Sequence, residues 1–337
     1  MPTVERRVEL DGLRGVAILL VFGLHCFNWP QGGHLGVDLF FVLSGFLITT
    51  LLLEERASTG HIDLRKFYAR RAVRLLPALS LMLAAYVVIQ AIHGRDGLGT
   101  AALGGLYVGN LVQAFGPTYG PLYHTGLDHL WSLAQEEQFY VVWPLALPFL
   151  VRAKRPVRSL GLLTAFLVIY RIVLALSSAP HHRLYNGPDT HMDGLLAGAA
   201  AALWLLGRPA WRIPPIWVAI ALPVAVDAAF IRVATSGWDA FGLPFAEASI
   251  VVLVLAAVTQ PKCARALSAA PLLWFGRISY SLYLWHFMLL YGWQGHNVAV
   301  AIISIVVAYV STRWLEEPLR RRHRARSPQL APALATG

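Results

Sequence analysis

Guanidinium and imidazole groups stand where the apolar runs of this chain should exclude them. Arg14 and His25 lie eleven residues apart in the apolar run at 11–29. Eleven residues of α-helix make three turns plus about 20°, so the two side chains share a face, roughly 16 Å apart along the axis. Asp11 joins that stripe at i−3 from Arg14. An ionisable group inside an apolar span is costly, and by default it is a functional candidate facing protein or water. A neutral imidazole suits general-base work near pH 7. The pair is therefore expected to point into a protein-lined tunnel, with a basic anchor at one end and a titratable base deep inside. In the competing reading Arg14 snorkels to headgroups and His25 is a hydrogen-bonded packing residue.

Three more segments carry chemistry. In a basic loop, Lys66, Arg70 and Arg74 recur at i, i+4, i+8, with Arg71 and Arg74 at i, i+3. A helix there would gather guanidinium forks, which suit phosphate; the alternative is surface charge beside anionic lipid. In the run at 129–150, His129, Ser132, Glu136 and Trp143 share a face, and Glu136 adjoins Glu137. Of two neighbouring carboxylates in apolar surroundings at least one should be paired or protonated, and a purely structural ion pair would also satisfy them. In the run at 274–292, Ser279, Tyr283 and His286 form one stripe at i, i+4, i+7, close to Arg277. Asp38 and Ser44 in the second run and Asp193 in the run at 191–207 complete the polar set. Asp227 and Glu247 read as structural, and Glu316-Glu317-Pro318 as a pairing site for the adjacent arginines. No Walker A, GxGxxG, HExxH, GxSxG or metal-spaced Cys/His cluster occurs, so no metal is expected.

The elements that position these groups follow from composition. The chain has 337 residues, 57% hydrophobic and 14% charged, with a mean hydropathy of +0.56. Soluble domains carry roughly 25% charged residues, so a soluble enzyme and a disordered chain are excluded. Two cysteines, Cys26 and Cys263, define no disulfide framework. The net charge of +10 sits in short loops between apolar runs and comes with no nucleic-acid motif. Its partner is the lipid bilayer. A crossing helix needs about 20 apolar residues, and barrel strands only about 10, so the expected fold is an all-α membrane bundle. Eleven candidate runs lie near 11–29, 35–53, 75–92, 100–114, 129–150, 159–176, 191–207, 214–231, 243–260, 274–292 and 297–315.

Loop charge selects among topologies. With Arg6 and Arg7 inside, all basic loops fall inside only if the short, glycine-rich run at 100–114 fails to cross, leaving Arg95, Arg183 and Arg232 outside. The expectation is about ten crossings, a re-entrant or non-spanning segment at 100–114 and both termini cytoplasmic. The first run lacks a small-residue cleavage site and is expected to be retained. Residues 1–319 would form the membrane domain and 320–337 a disordered basic tail.

Six stretches in this order resemble the acyltransferase-3 family of integral membrane O-acyltransferases. They are LDGLRGVA at 10–17 leading to His25, GVDLFFVLSGF at 36–46, FYARRAVRLLP at 67–77, HLWSLAQEEQFY at 129–140, ISYSLYLWH at 278–286 and EEP at 316–318. The resemblance implies transfer of an acyl group, acetyl in the first instance, from acyl-CoA to a hydroxyl, usually on a carbohydrate, in the bacterial inner membrane. It implies an active-site core at Arg14 and His25 and a donor-binding element at Arg71 and Arg74, beside Arg70. Glu136 or Glu137 would orient His25 or the acceptor, with Asp11, Asp38, Ser44, Ser132, Tyr283 and His286 supporting. One departure is His191, where relatives often place an arginine before the aspartate matching Asp193. Many relatives also carry an SGNH esterase-like domain after the last helix, which is not expected here, so the membrane unit or a separate protein would complete transfer. The reading from another class is a transporter or lipid flippase, which would also face charges inward.

Overall fold

The computed structural model describes residues 7–116, 125–208, 211–231, 235–293 and 295–326, and among these no strand occurs. Arg6, Arg232 and tail residues 327–337 lie outside them. The helices are α1 (Val8–Phe27), α2 (Leu35–Thr59), α3 (Leu64–Ile92), α4 (Leu98–Gly105), α5 (Gly109–Phe115), α6 (Leu130–Arg152), α7 (Pro156–Leu176) and α8 (His181–Asn186). There follow α9 (Pro188–His191), α10 (Asp193–Leu206), α11 (Pro215–Phe230), α12 (Leu243–Thr259), α13 (Pro261–Leu267), α14 (Ala270–Gly292), α15 (Asn297–Val310) and α16 (Glu317–Arg326). A π-helical turn at Trp238–Gly242 leads into α12, and another at Ser311–Glu316 joins α15 to α16. Within the basic tail, residues 320–326 are therefore helical.

Among the described residues, six stretches are long and apolar enough to cross a membrane: Val8–Phe27, Leu35–Thr59, Leu64–Ile92, Pro156–Leu176, Trp238–Thr259 and Asn297–His323. This is an integral membrane protein. α6 and α14, of 23 residues each, have the length but turn polar side chains inward; α10 and α11 are apolar and shorter. The run at 100–114 is broken into α4 and α5, of 8 and 7 residues. Neither extends beyond about 12 Å, so the segment does not cross as one helix.

The basic segment expected as a loop is instead the first turns of α3. Asp63 accepts the Lys66 backbone N–H at 2.9 Å and pairs with the Lys66 ammonium at 3.0 Å. A capping carboxylate satisfies one of the unpaired donors that open a helix and favours starting it there. At the other extreme, α1 stops just past His25. Asn28 takes a left-handed φ of 53° and its N–H bonds back to the Leu24 carbonyl at 2.8 Å, which fixes His25 in the last turn.

The two most extensive helix pairs are α1 with α14 and α2 with α10, and glycine makes both. A Cβ on Gly15 would collide with the Leu272 carbonyl, and one on Gly276 with that of Asp11. A Cβ on Gly45 would strike the Leu195 carbonyl, and one on Gly198 that of Val42. Without these side chains the backbones approach closely, the usual means of helix association in lipid. The core built on them joins Ile18, Val21 and Phe22 of α1 to Phe41, Phe139, Trp143, Leu195 and Leu282. Leu162, Phe166, Ile169, Ile220 and Phe245 point outward, exposed, as a lipid-facing surface requires.

Candidate functional site

Polar side chains collect at two ends of the space enclosed by α1, α2, α3, α6 and α14. At the first end α1 presents Arg14, one turn after Asp11. α3 presents Arg70, Arg71 and Arg74, and these three differ in what they touch. Arg70 pairs with Glu55 at 3.1 Å. Arg71 donates to Glu137 at 2.5 Å and lies 3.4 Å over the Tyr140 ring. Arg74 is crowded by the charges of Arg14, Arg71 and Arg320. Neither Arg14 nor Arg74 forms a hydrogen bond or ion pair with a described residue. Like charges brought together favour a counter-charge nearby, and Glu136 lies close enough to feel the charges of both Arg71 and Arg14.

The two carboxylates of α6 stay at this end. Glu136 accepts from the Ser44 hydroxyl at 2.8 Å, and Glu137 is taken by Arg71. Neither touches His25, so of the two expected roles, orienting His25 or orienting the acceptor, the first has no contact here. Glu316, buried, accepts from Ser281 and pairs with Arg320 at 3.5 Å. Glu317 pairs with Arg313 at 3.2 Å and Arg321 at 3.4 Å. A cleft with about 440 Å³ of open space lies beside Arg71, lined by Tyr68, Tyr107, Glu137, Tyr140 and apolar residues of α3.

The second end is built of histidines. His25 Nδ1 stands 2.8 Å from His286 Nε2, and the rings stack with centroids 5.1 Å apart. His129, at the start of α6, lies 5.6 Å from His286 between ring centroids and 5.1 Å from Phe287. Both of its ring nitrogens are buried without a partner. The imidazole lies against the backbone of Tyr283 and Leu284 on α14. His34 stands 6.3 Å from His25. Tyr283 bonds Ser132 at 2.6 Å and donates to the His129 carbonyl at 2.7 Å. The candidates from three spans, His25, Ser132, Tyr283 and His286, are thus brought together. His34 was absent from the expected site, though it adjoins an apolar run already holding a candidate, and His129 was placed on the polar face of the run at 129–150 without being given a role.

Asp38 faces a different cluster. It pairs with His191 Nε2 at 2.8 Å, while His191 Nδ1 donates to the Tyr185 carbonyl at 2.6 Å. The neighbouring Arg171–Asp193 pair, at 2.8 Å, has both side chains wholly buried. Asp38, His191 and Glu247 each place a ligand atom within 4.8 Å of the others and could hold a cation. Asp38 is paired with His191 and Asp193 with Arg171, whereas Glu247 Oε1 is buried without a hydrogen-bond partner among the described residues.

Apolar side chains of α1 lie between Arg14 and His25. Ile18, Val21 and Phe22 are buried in the core between them. Neither the Arg71 cleft nor a smaller one at His34, Asp38, Tyr185 and Trp238 runs from one end to the other. What connects the ends is a seam of polar groups: Glu136 and Ser44, then Ser132 and Tyr283, then the histidines.

A family model described as an acyltransferase domain matches residues 7–315, which include Arg14, His25, Arg74, Glu136 and His286. The chain belongs to the acyltransferase-3 family. Relatives of this acyltransferase-3 chain include the peptidoglycan O-acetyltransferase OatA of Listeria monocytogenes, 33% identical over 93% of this chain and 56% of that protein. The O-acetyltransferase OatA of Staphylococcus aureus is 31% identical over 93% of this chain and 57% of its own length. The chain thus spans about half the length of the curated relatives it matches. No solved structure matches it.

Proposed function

We propose that this acyltransferase-3 domain moves an acetyl group from acetyl-CoA to a hydroxyl of a cell-wall glycan, in the bacterial inner membrane. The observation that carries the reading is the gathering of Arg14 and Arg74, neither hydrogen-bonded to a described residue, at the end opposite His25. That end also holds Arg71 and Arg320, and positive charge marks the cytoplasmic side, where acetyl-CoA is made. Arg14 and Arg74 hold the donor's phosphates; Arg71, occupied by Glu137, supports them from behind. The names of the relatives direct the choice of a peptidoglycan acceptor.

Chemistry takes place at the imidazole end. The acceptor hydroxyl gives its proton to His25 as its oxygen attacks the thioester carbonyl. The C–S bond breaks, and the thiolate recovers the proton as coenzyme A leaves. A route through an acyl-imidazole on His25 balances equally well, with the acceptor attacking in a second step. Either route needs the seam beside Ile18, Val21 and Phe22 to part so that the donor's thioester reaches His25.

The test is reconstitution of the full chain into liposomes with radiolabelled acetyl-CoA and peptidoglycan fragments. Ester-linked label on the glycan, lost by roughly 10²-fold or more in His25→Ala, is the expected result. Movement of an intact solute with no ester formed would make the domain a transporter instead.

A further inference from the structure

We infer that His286 sets which nitrogen of His25 is basic, through a two-imidazole relay anchored on the carbonyl of Leu282. The inference rests on the acyl-transfer reading above and adds a positioning residue to it.

The hydrogens follow from donor and acceptor counting. His286 Nδ1 lies 2.9 Å from the Leu282 carbonyl oxygen, one turn earlier on α14. A carbonyl only accepts, so this nitrogen carries a hydrogen. A neutral imidazole has one N–H, which leaves His286 Nε2 as an acceptor. That nitrogen faces His25 Nδ1 at 2.8 Å, and two bare nitrogens at this distance would repel. His25 Nδ1 therefore carries the hydrogen and donates it. His25 Nε2 is left bare, with no hydrogen bond to a described residue, and it is the nitrogen available to a substrate.

The surroundings keep the relay neutral at rest. His286 is fully buried, and the groups facing the pair are His34, His129, Tyr283, Phe22 and Phe287. None is a carboxylate, and an unpaired buried cation is costly. When His25 Nε2 takes the hydroxyl proton, the new positive charge is shared through Nδ1–H with the lone pair of His286. The backbone carbonyl of Leu282 thus does for this histidine pair what a buried carboxylate does in a serine protease triad: it fixes tautomer and ring orientation. A rigid helix carries the anchor, since Leu282 and His286 are one turn apart on α14. Both chemical routes use the same nitrogen, so the relay serves a general base and a transient acyl carrier alike.

Three substitutions test it in the full chain, assayed with radiolabelled acetyl-CoA and peptidoglycan fragments. His286→Gln can place an oxygen near the Nε2 position and still accept from His25. His286→Asn reaches only the Nδ1 position, and His286→Phe keeps ring volume with no acceptor. The expected order of kcat is wild type, Gln, then Asn and Phe, with Gln roughly tenfold or more above Asn and the KM for acetyl-CoA unchanged throughout. The acid limb of the kcat/KM profile should move in the Asn and Phe variants and stay in Gln. Equal kcat for Gln and Asn, or full activity in Phe, overturns the relay; if Phe is not recovered folded, the Gln-to-Asn ratio decides alone. His25→Ala is run alongside. If it retains transfer, the acyl-transfer role of His25 falls and the relay with it. If it is inactive while His286→Phe is active, only the relay falls.

Discussion

Arg71 and Glu137 lie 2.5 Å apart, each side chain 16% exposed, with the Tyr140 ring 3.4 Å beneath the guanidinium. The pair ties the start of α3 to the middle of α6 and leaves Arg74, one turn on, facing Arg14. The two arginines of one short motif therefore have different tasks. Arg74→Gln should raise the apparent KM for acetyl-CoA by roughly tenfold or more, the value of one lost charge-assisted hydrogen bond, without lowering the melting temperature. Arg71→Gln should instead lower thermal stability, since Glu137 loses its partner, at about 1–3 kcal/mol. Measuring KM and Tm on the same detergent preparations separates the two; identical behaviour would show that both bind donor or that both merely pack.

Arg171 and Asp193 carry a different kind of prediction. Both are wholly buried at 2.8 Å, so removing one partner strands the other charge in apolar surroundings. Arg171→Met should cost about 3–5 kcal/mol, and Arg171→Met with Asp193→Leu should recover much of that loss. Denaturation of the single and double variants in mild detergent gives the comparison, and a double variant no better than the single would refute it.

Glycines should divide by what surrounds them. Gly45 has the Leu195 carbonyl where a Cβ would go, whereas nothing lies within 4 Å of a Cβ on Gly161, in the exposed part of α7. Gly45→Val should destabilise by about 1–3 kcal/mol or more as α2 and α10 are forced apart. Gly161→Ala should stabilise by about 0.5–1 kcal/mol, because alanine loses less backbone freedom in a helix. Thermal melts of the two variants should therefore shift in opposite directions.

Asp63 supplies a pH dependence outside the membrane. The Lys66 backbone N–H, then its ammonium, hold the Asp63 carboxyl below its usual range. A carboxylate depressed in the folded state stabilises above its unfolded pKa, and that contribution is lost as pH falls through the lower folded value. The first turn of α3 should therefore fray in acid, with faster amide exchange at Lys66 and Phe67 as pH drops below the carboxylate range. Asp63→Ala should exchange fast at every pH; a variant that kept the wild-type profile would remove the cap from the explanation.

Local spacing made several of these features legible. The shared face of Arg14 and His25, the stripe of Ser279, Tyr283 and His286, and the failure of the run at 100–114 to form one crossing helix all depend on near neighbours. Helical periodicity and glycine content are written within a dozen residues. The length of the apolar runs likewise pointed to an all-helical membrane fold, because lipid leaves the backbone only helices or closed barrels and barrel strands are about half as long.

Partnership was decided elsewhere. His25 meets His286 across 261 positions of sequence, Glu136 meets Ser44 across 92, and Asp38 meets His191 across 153. Adjacent carboxylates on α6 announced that partners must exist without saying which: Glu136 or Glu137 was expected to orient His25 or the acceptor, and the side chains they bond are Ser44 and Arg71. Spacing along one helix fixes a direction around its axis but not the neighbour found there. That neighbour was chosen by close backbone contact at Gly15, Gly276, Gly45 and Gly198, where a missing side chain on one helix meets a carbonyl on another. Sequence alone determined which faces were polar; packing of the helices decided which polar faces met.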